Sequence, residues 1–298
     1  MQSAIIFGIS GQDGFYLAKL LSSIDIKVIG VSRNSGDVHG DVADFDFVKS
    51  LVKVNQPNYI FHLAANSSTR HDALFENHET ISTGTINILE ATKIFSSHSK
   101  VFLSGSAMQF RNNGNPIDEF TEFNPSSSYA VSRIQSVYIG RYYRETFGLK
   151  VYIGFLFNHD SPLRSSKHIN KKIVDSVVRI FKGSEEKLEI GNIKVKKEFN
   201  YAEDIVNAIW CLINQTQIFE AVIGSGIAYS IEEWICYCFM KFNLNWEKYI
   251  VSNPKFINEY EVLVSMPSLI KSIGWTPQKS FTDLADLMLE DCLIKYNK

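Results

Sequence analysis

Runs of apolar residues alternate with segments of helical spacing through the first half of the chain. Apolar residues 4–7 lead directly into a glycine, and apolar positions recur at helical spacing over residues 15–21. Continuous apolar runs bounded by turns are typical of strands buried on both faces. The alternation continues with predicted strands at 26–31, 59–63, 100–104 and 150–155, and with helices near 45–54, 79–95 and from 129 onwards. This order predicts an α/β fold with a doubly wound parallel sheet.

The alternation loosens in the second half, which predicts a division into two lobes. We predict a dinucleotide-binding domain over residues 1–156 and a smaller C-terminal substrate lobe over 157–298. The segment near 201–225 is expected to return to the first domain. A chain of 298 residues is long enough for two lobes and a sizeable core.

The overall composition excludes several classes of partner. The formal net charge of -2 predicts no nucleic-acid or other polyanionic partner. No apolar run is long enough to span a bilayer, and the first residues lack the basic start of a signal peptide, so we expect no membrane and a cytoplasmic location. The four cysteines show neither metal-ligand nor disulfide spacing, which predicts reduced thiols and no metal site.

A glycine-rich turn follows the first predicted strand and opens the first predicted helix. Its glycines are Gly8, Gly11 and Gly14, and Gln12 and Asp13 lie between the last two. Glycines in such a turn let backbone amides approach a pyrophosphate, and the positive end of the helix faces the phosphates. Because the turn has the strand-turn-helix context of a dinucleotide fingerprint, we predict an NAD(P) site formed by these five residues.

The end of the second predicted strand bears on the choice of cofactor. Arg33 favours NADP, because an arginine here can accommodate the ribose 2′-phosphate, although it can also stack on the adenine. We also predict an adenine contact at Asp41 and Val42, a small-residue loop beside the pyrophosphate at Leu63, Ala64 and Ala65, and further cofactor contacts at Tyr129 and Arg133. Ordinary tight packing also accounts for the two alanines.

A tyrosine and an arginine mark the predicted catalytic helix. Tyr129 and Arg133 lie one helical turn apart, at the spacing of the tyrosine–lysine pair in short-chain dehydrogenases. A fixed cation beside a phenol favours the phenolate, which can remove a hydroxyl proton as hydride leaves. Arginine supplies the charge and can bind the cofactor ribose, but its planar head differs from an ammonium group. The pair also fits the surface of an amphipathic helix, and its position after the predicted strand 100–104 favours catalysis.

A hydroxyl group is expected where that strand ends, at the sheet edge where ligands bind. Ser104 and Ser106 both lie there. We predict that Ser106 holds the substrate oxygen, because Ser104 can equally well satisfy local backbone groups.

Four segments together resemble a known family. They are the turn Gly8–Gly14 with its Gln12-Asp13 insert, the segment Leu156–Pro162, the stretch from Gly191-Asn192 to 201–204, and the turn Gly274–Pro277. With them the chain resembles the extended short-chain dehydrogenase/reductases that modify nucleotide sugars, in particular the GDP-mannose 4,6-dehydratase branch. The resemblance implies a GDP-sugar substrate, with Asn158 near the sugar and pyrophosphate and Lys197 on a phosphate. It also implies a homodimer formed through the helices near 79–95 and 129–143.

Three positions depart from the pattern of that branch. Met108 occupies the position of the glutamate that removes the C5 proton, and a thioether cannot act as a base. Lys197 replaces an arginine, and Ile257 lies where a second phosphate arginine is expected. Lys167 can also attract phosphate, although a solvated helix face explains it equally well.

The departures lead to one prediction and two alternatives. We predict an NAD(P)-dependent C4 dehydrogenase or ketoreductase of a GDP-linked manno-configured hexose or heptose, with Tyr129, Ser106 and Arg133 as catalytic residues. The first alternative is a 4,6-dehydratase whose base comes from Asp118, Glu119 or another acid before Tyr129. The second is a non-catalytic nucleotide-binding subunit that regulates a related enzyme. The sequence leaves open the direction of hydride transfer and whether the cofactor stays bound between turnovers.

Overall fold

The computed structural model describes residues 1–256 and 259–297. The strands are β1 (Ser3–Phe7), β2 (Lys27–Ser32), β3 (Val38–His39), β4 (Tyr59–His62), β5 (Lys100–Ser106), β6 (Lys150–Leu156), β7 (His159–Asp160), β8 (Leu188–Ile190), β9 (Lys196–Glu198), β10 (Asn200–Tyr201), β11 (Glu220–Ile223), β12 (Ala228–Ser230), β13 (Ile250–Ser252) and β14 (Val262–Leu263). The helices are α1 (Gln12–Ser23), α2 (Phe45–Asn55), α3 (Leu74–Asn77), α4 (Gly84–Phe95), α5 (Ser128–Phe147), α6 (Ile169–Phe181), α7 (Ala202–Ile213), α8 (Ile231–Met240), α9 (Ser268–Ser272) and α10 (Phe281–Tyr296). A π-helical stretch, His78–Thr83, joins α3 to α4.

Seven strands form one parallel sheet in the order β11-β6-β5-β4-β1-β2-β3. Helices α2, α4 and α5 cover one face, and α1 and α7 cover the other. Residues Ala4 to Phe7 of β1 are buried throughout because both faces are covered. The predicted fold class is therefore confirmed.

The strand order reverses direction beside β1, and this reversal positions the site. From β1 the chain builds β2 and β3 on one side, whereas β4, β5, β6 and β11 follow on the other. In such sheets, ligands bind in the crevice beyond the carboxyl ends of the strands at this switch point.

The second half of the chain contributes to both lobes. Strand β11 forms an edge of the central sheet, and α7 packs against α1. Helices α6, α8 and α10 pack together in the smaller lobe, beside the short sheet β12-β9-β14. The predicted boundary at residue 156 stays a prediction. Of the helices that the structure describes, none combines the length and apolarity needed to cross a membrane.

Candidate active site

The glycine-rich turn links β1 to α1 at the switch point. Gly8 has a φ of +95°, which favours glycine, and a Cβ there would lie 2.6 Å from the backbone nitrogen of Ala64. A Cβ on Gly14 would lie 2.4 Å from the Gly8 carbonyl oxygen, so this glycine lets α1 approach the turn. A Cβ on Gly11 would meet its nearest neighbour at 3.4 Å, which is ordinary contact. The turn therefore has the shape of a dinucleotide cradle, with Gly11 open to a ligand.

A cavity of about 230 Å³ lies on the β2 side of this turn. It brings together six predicted cofactor residues from three loops, namely Arg33, Asp41, Val42, Leu63, Ala64 and Ala65. The Arg33 guanidinium donates to the Glu76 carboxylate at 3.2 Å, and the Asn66 amide donates to the same carboxylate at 2.6 Å. These two hydrogen bonds lower the pKa of Glu76, that from Asn66 more strongly. A 2′-phosphate would therefore share Arg33 with an existing carboxylate.

A second cavity, of about 390 Å³, lies beyond β1, β5 and β6 and shares Gly8, Gly11, Leu63 and Ala65 with the first. It is lined by the remaining predicted residues of the glycine turn and by all three predicted catalytic residues, so that Gln12, Asp13, Gly14, Ser106, Tyr129 and Arg133 meet around one space. Because the two cavities share lining residues, they form one continuous groove, which runs from Arg33 past the glycine-rich turn to Tyr129.

Helix α5 holds the tyrosine and the arginine in contact. The Ser127 hydroxyl caps the helix by accepting from the Ala130 amide at 3.1 Å, so Tyr129 lies in the first turn. The Arg133 Nε donates to the Tyr129 hydroxyl oxygen at 3.1 Å, and both side chains are buried. Because the oxygen accepts this bond, the phenol proton can still be given to a ligand.

The two serines at the end of β5 have different partners. The Ser104 hydroxyl accepts from Arg133 Nη1 at 2.9 Å and donates to the His62 carbonyl at 2.9 Å. The Ser106 hydroxyl accepts from the Met108 amide at 3.2 Å, and within residues 1–256 and 259–297 its proton has no partner. The Ser104 hydroxyl is thus fully engaged with protein groups, whereas the Ser106 hydroxyl can still donate to a group in the cavity.

His62 is buried next to Ser104 and Arg133. Burial, and then the Arg133 charge, lowers its pKa from the ordinary 6.5 to about 4. Its Nε2 lies 3.4 Å from the Ile81 carbonyl, an acceptor that matches a protonated Nε2 on a neutral ring. The neutral ring avoids a second positive charge next to Arg133.

The segment after β6 places polar side chains on the wall of the larger cavity. Asn158 lines the larger cavity, and its side-chain oxygen is buried without a hydrogen-bond partner in the described part of the chain. Arg164 and His168 line the same cavity, and Arg164 also lies 3.0 Å from the Asp160 carboxylate. The sequence reasoning missed both; the only available signal was a basic residue two positions after Pro162.

Arg164 and His168 are in contact on this wall. The Arg164 guanidinium donates to Nδ1 of His168 at 3.1 Å, and burial followed by the Arg164 charge lowers the pKa of His168 to about 4. Lys197 is buried and does not line the larger cavity as described. Its ammonium lies 5.4 Å from the centre of the Phe199 ring, and burial lowers the pKa of this lysine. Lys167 is exposed and does not line either of the two cavities as described.

The position of the expected catalytic glutamate is apolar. Met108 lines the larger cavity together with Ser106 and Tyr129. The Asp118 carboxylate accepts from Thr121 at 2.8 Å, and Glu119 accepts from the Val222 amide at 2.7 Å, so both are engaged outside this cavity.

Among the described residues, the carboxylates that line the larger cavity are Asp13 and the exposed Glu259. Asp13 is paired with His159, whose Nε2 lies 3.0 Å away. Ile257, compared above with a second phosphate arginine, lies outside the described residues.

Comparison with known proteins identifies the family of the chain. A profile of the family described as "GDP-mannose 4,6 dehydratase" matches residues 5–288. The chain belongs to this family. GDP-mannose 4,6 dehydratase 2 of Arabidopsis thaliana is 28% identical over 322 residues, which cover 97% of this chain and 86% of that relative. The resemblance seen in the sequence and the predicted enzyme class are therefore confirmed.

Solved structures of other proteins share the fold of this family member. RMD from Pseudomonas aeruginosa, complexed with NADPH, has a TM-score of 0.87 at 20% identity and covers 99% of this chain and 98% of its own. UDP-glucose 4-epimerase from Thermus thermophilus, complexed with NAD, has a TM-score of 0.85 at 18% identity, covering 98% of this chain and 99% of its own. The predicted NAD(P) cofactor agrees with the cofactors in these two structures.

Proposed function

We propose that this chain is an NAD(P)-dependent oxidoreductase acting at C4 of a GDP-linked manno-configured sugar, without dehydration. The observation that carries the proposal is the hydrogen bond from Arg133 to Tyr129 beside Ser106, in a groove that continues into the glycine-rich turn. The steric fit at Gly8 and Gly14 and the residues of the smaller cavity match a dinucleotide. A bound nicotinamide would accept or supply the hydride.

The three catalytic residues divide the remaining chemistry between them. In oxidation, Tyr129 takes the proton of the C4 hydroxyl while the C4 hydrogen leaves as hydride; in reduction, Tyr129 returns the proton. The Ser106 hydroxyl keeps its proton and donates a hydrogen bond to the C4 oxygen. Arg133 stabilises the phenolate through Nε, and Ser104 holds the guanidinium in place.

The residues of the segment after β6 support a substrate that carries phosphate. Arg164 offers a guanidinium that can pair with phosphate, and the unsatisfied side-chain oxygen of Asn158, on the same wall of the cavity, can accept from a hydroxyl of the attached sugar. Family membership supports the GDP-sugar class, since the Arabidopsis relative is named for GDP-mannose. Lys197 is proposed to strengthen the phosphate site from behind, and Lys167 to attract phosphate from the surface.

Dehydration needs a base for the C5 proton, and this requirement separates the proposal from its closest competitor. Met108 cannot take up a proton, and general base catalysis contributes roughly 10²- to 10⁴-fold to a rate. A second candidate function, 4,6-dehydration, is favoured by Glu259, because its carboxylate lines the same cavity. In that case Glu259 would replace the missing glutamate.

A product analysis distinguishes these functions. Purified protein is incubated with a panel of GDP-hexoses and GDP-heptoses, with NAD or NADP in each oxidation state, and the products are weighed by mass spectrometry. We expect a product that has lost or gained two hydrogens, and we expect no such product from the Tyr129→Phe variant. Loss of water that disappears in Glu259→Gln establishes the dehydratase instead. Tight dinucleotide binding without turnover of any sugar supports the non-catalytic regulatory subunit.

The outer faces of α4 and α5 support the predicted homodimer. Ile88 and Leu89 are buried, whereas Ile86, Tyr138 and Tyr142 are exposed. We propose that this surface pairs with its copy in a second chain. Light scattering is expected to give twice the chain mass for the wild type and a single-chain mass for Tyr138→Glu/Tyr142→Glu, with exposed Phe120→Glu as control. A wild type of single-chain mass contradicts the dimer.

The cytoplasmic location stays a prediction.

A further inference from the structure

Two segments that are far apart in the chain meet beside the candidate cofactor site. Gln12, at the start of α1, donates through Nε2 to the His159 carbonyl at 3.2 Å and accepts from the Ser161 hydroxyl at 2.9 Å. Next to it, His159 Nε2 lies 3.0 Å from both carboxylate oxygens of Asp13. The glycine-rich turn and the segment that carries Asn158 are therefore joined by side chains that line the larger cavity.

The partners of His159 define its protonation state. Its Nδ1 lies 2.7 Å from the Phe157 carbonyl, and its Nε2 faces the Asp13 carboxylate. A carbonyl and an ionised carboxylate are both acceptors, and with these partners both ring nitrogens carry a proton. Although burial opposes the charge, Asp13 raises the pKa of His159, and His159 in turn lowers the pKa of Asp13. The pair is thus an imidazolium and a carboxylate.

The Asp13 carboxylate lies where its negative charge can affect phosphate binding. Asp13 lies in the first turn of α1, whose positive end faces the place where dinucleotide phosphates are expected. A carboxylate suits a helix N-terminus, but it repels a phosphate bound at the same end. His159 lies directly on this carboxylate, and Gln12 and Ser161 hold the histidine segment against the turn.

The geometry points to His159 as a positioning residue whose cation cancels the charge of Asp13 and fixes the glycine-rich turn, so that dinucleotide phosphates can bind there. This inference rests on the proposed function only in taking the ligand of the turn to be NAD(P). It makes the segment next to the proposed sugar site a contributor to cofactor affinity.

A double-mutant cycle tests the inference. The dissociation constants of NADH and NADPH are measured by fluorescence, without any sugar, for the wild type, His159→Gln, Asp13→Asn and the double variant. His159→Gln leaves Asp13 uncompensated, so we expect the affinity to fall about tenfold. In the Asp13→Asn background the same change should cost less than about twofold. An equal loss in both backgrounds overturns the inference.

The pH dependence of binding provides a readout that a merely structural contact would not change. The charged and titratable groups that face His159 are Asp13 from α1, and Arg164 and His168 from the segment after β7. As the pH rises through the raised pKa of His159, the cation is lost and the wild-type affinity should fall. Asp13→Asn should show a flat profile over this range, and a wild-type profile that is equally flat overturns the inference.

Two controls separate this result from other failures. The exposed His98→Gln variant should retain the wild-type affinity and pH profile. Recovery of binding in the double variant shows that the fold survives replacement of His159. Because no sugar is present, the outcome does not depend on whether the C4 reaction takes place.

Discussion

At the level of single residues, the charge in the proposed catalytic group is carried by an arginine, where short-chain dehydrogenases use a lysine. An arginine guanidinium keeps its charge over the whole range in which proteins fold, whereas a lysine in this position could lose its proton. Arg133 is also wider, and it contacts Tyr129 through Nε and Ser104 through Nη1 at the same time. Its planar head therefore positions two groups with one charge.

Removing the Tyr129 hydroxyl tests the proton-transfer role. In Tyr129→Phe we expect kcat to fall by about 10²- to 10⁴-fold, since the general acid or base is lost. Dinucleotide affinity should change little, because the ring and Arg133 remain. The matched control is Tyr296→Phe, an exposed tyrosine at the end of α10. Full activity in Tyr129→Phe, measured with the identified sugar, would show that the proton moves through another group.

His62 predicts a loss of stability in acid. Its pKa is about 4 in the folded protein and 6.5 in an unfolded chain, so below about pH 6.5 the unfolded state binds a proton that the folded state excludes. This contribution to stability is complete above that pH and is lost as the pH falls to 4.

The comparison of variants isolates this contribution. Between about pH 7 and pH 5, His62→Gln should lose about 2 kcal/mol less unfolding free energy than the wild type. Urea denaturation at both pH values measures the difference, and the other histidines cancel because both proteins contain them. Equal losses in the two proteins would contradict a neutral buried His62.

At the level of elements, the strand-turn-helix unit β1-α1 depends on two close backbone approaches. Gly8 lies against the loop after β4, and Gly14 lies against Gly8 itself. The turn thus touches both the neighbouring strand and its own helix. The start of helix α5 is fixed by a side chain instead, because the Ser127 hydroxyl caps its first turn.

Substitution of two glycines separates packing from ligand access. In Gly14→Ala the new methyl would lie 2.4 Å from the Gly8 oxygen, so the helix must move, and we expect a loss of about 1–3 kcal/mol in stability together with weaker NADH binding. Gly11→Ala meets its nearest neighbour at 3.4 Å and should weaken NADH binding with almost unchanged stability. Thermal unfolding and NADH titration measure both effects. A fully stable Gly14→Ala would contradict the tight approach of α1.

At the level of the whole molecule, one buried carboxylate ties the two lobes together. Glu198 at the end of β9 accepts from the backbone amides of Ser225 and Gly226, which follow the sheet strand β11, and from the amide of Ser265 after β14. The residue is 0% exposed. A carboxylate suits this position because several donors converge on it.

Neutralising Glu198 should therefore destabilise the whole fold. In Glu198→Gln an amide NH₂ would face backbone N–H groups, and we expect a loss of about 3 kcal/mol in the free energy of unfolding. The control is Glu122→Gln, whose exposed ion pair with Arg111 contributes at most about 1 kcal/mol. Urea denaturation measures both, and equal small losses would contradict the tie between lobes.

The features encoded by local spacing could be predicted from the sequence. Apolar runs indicate the parallel strands, and the positions of Gly8, Gly11 and Gly14 indicate the turn. The spacing of Tyr129 and Arg133 indicates a shared helix face. Each of these patterns spans fewer than about ten residues, so backbone periodicity alone brings its members together. They led to the fold class and to the residues of the proposed catalytic group.

Only the tertiary structure decided which distant groups meet. His159 pairs with Asp13, Arg33 shares Glu76 with Asn66, and Arg164 and Glu259 enter the same cavity. The order of the strands in the sheet and the return of the chain bring these partners together, and no local pattern encodes that order. The sequence therefore determined the kind of chemistry that this protein offers. The fold decided which charges are cancelled and which still face a ligand.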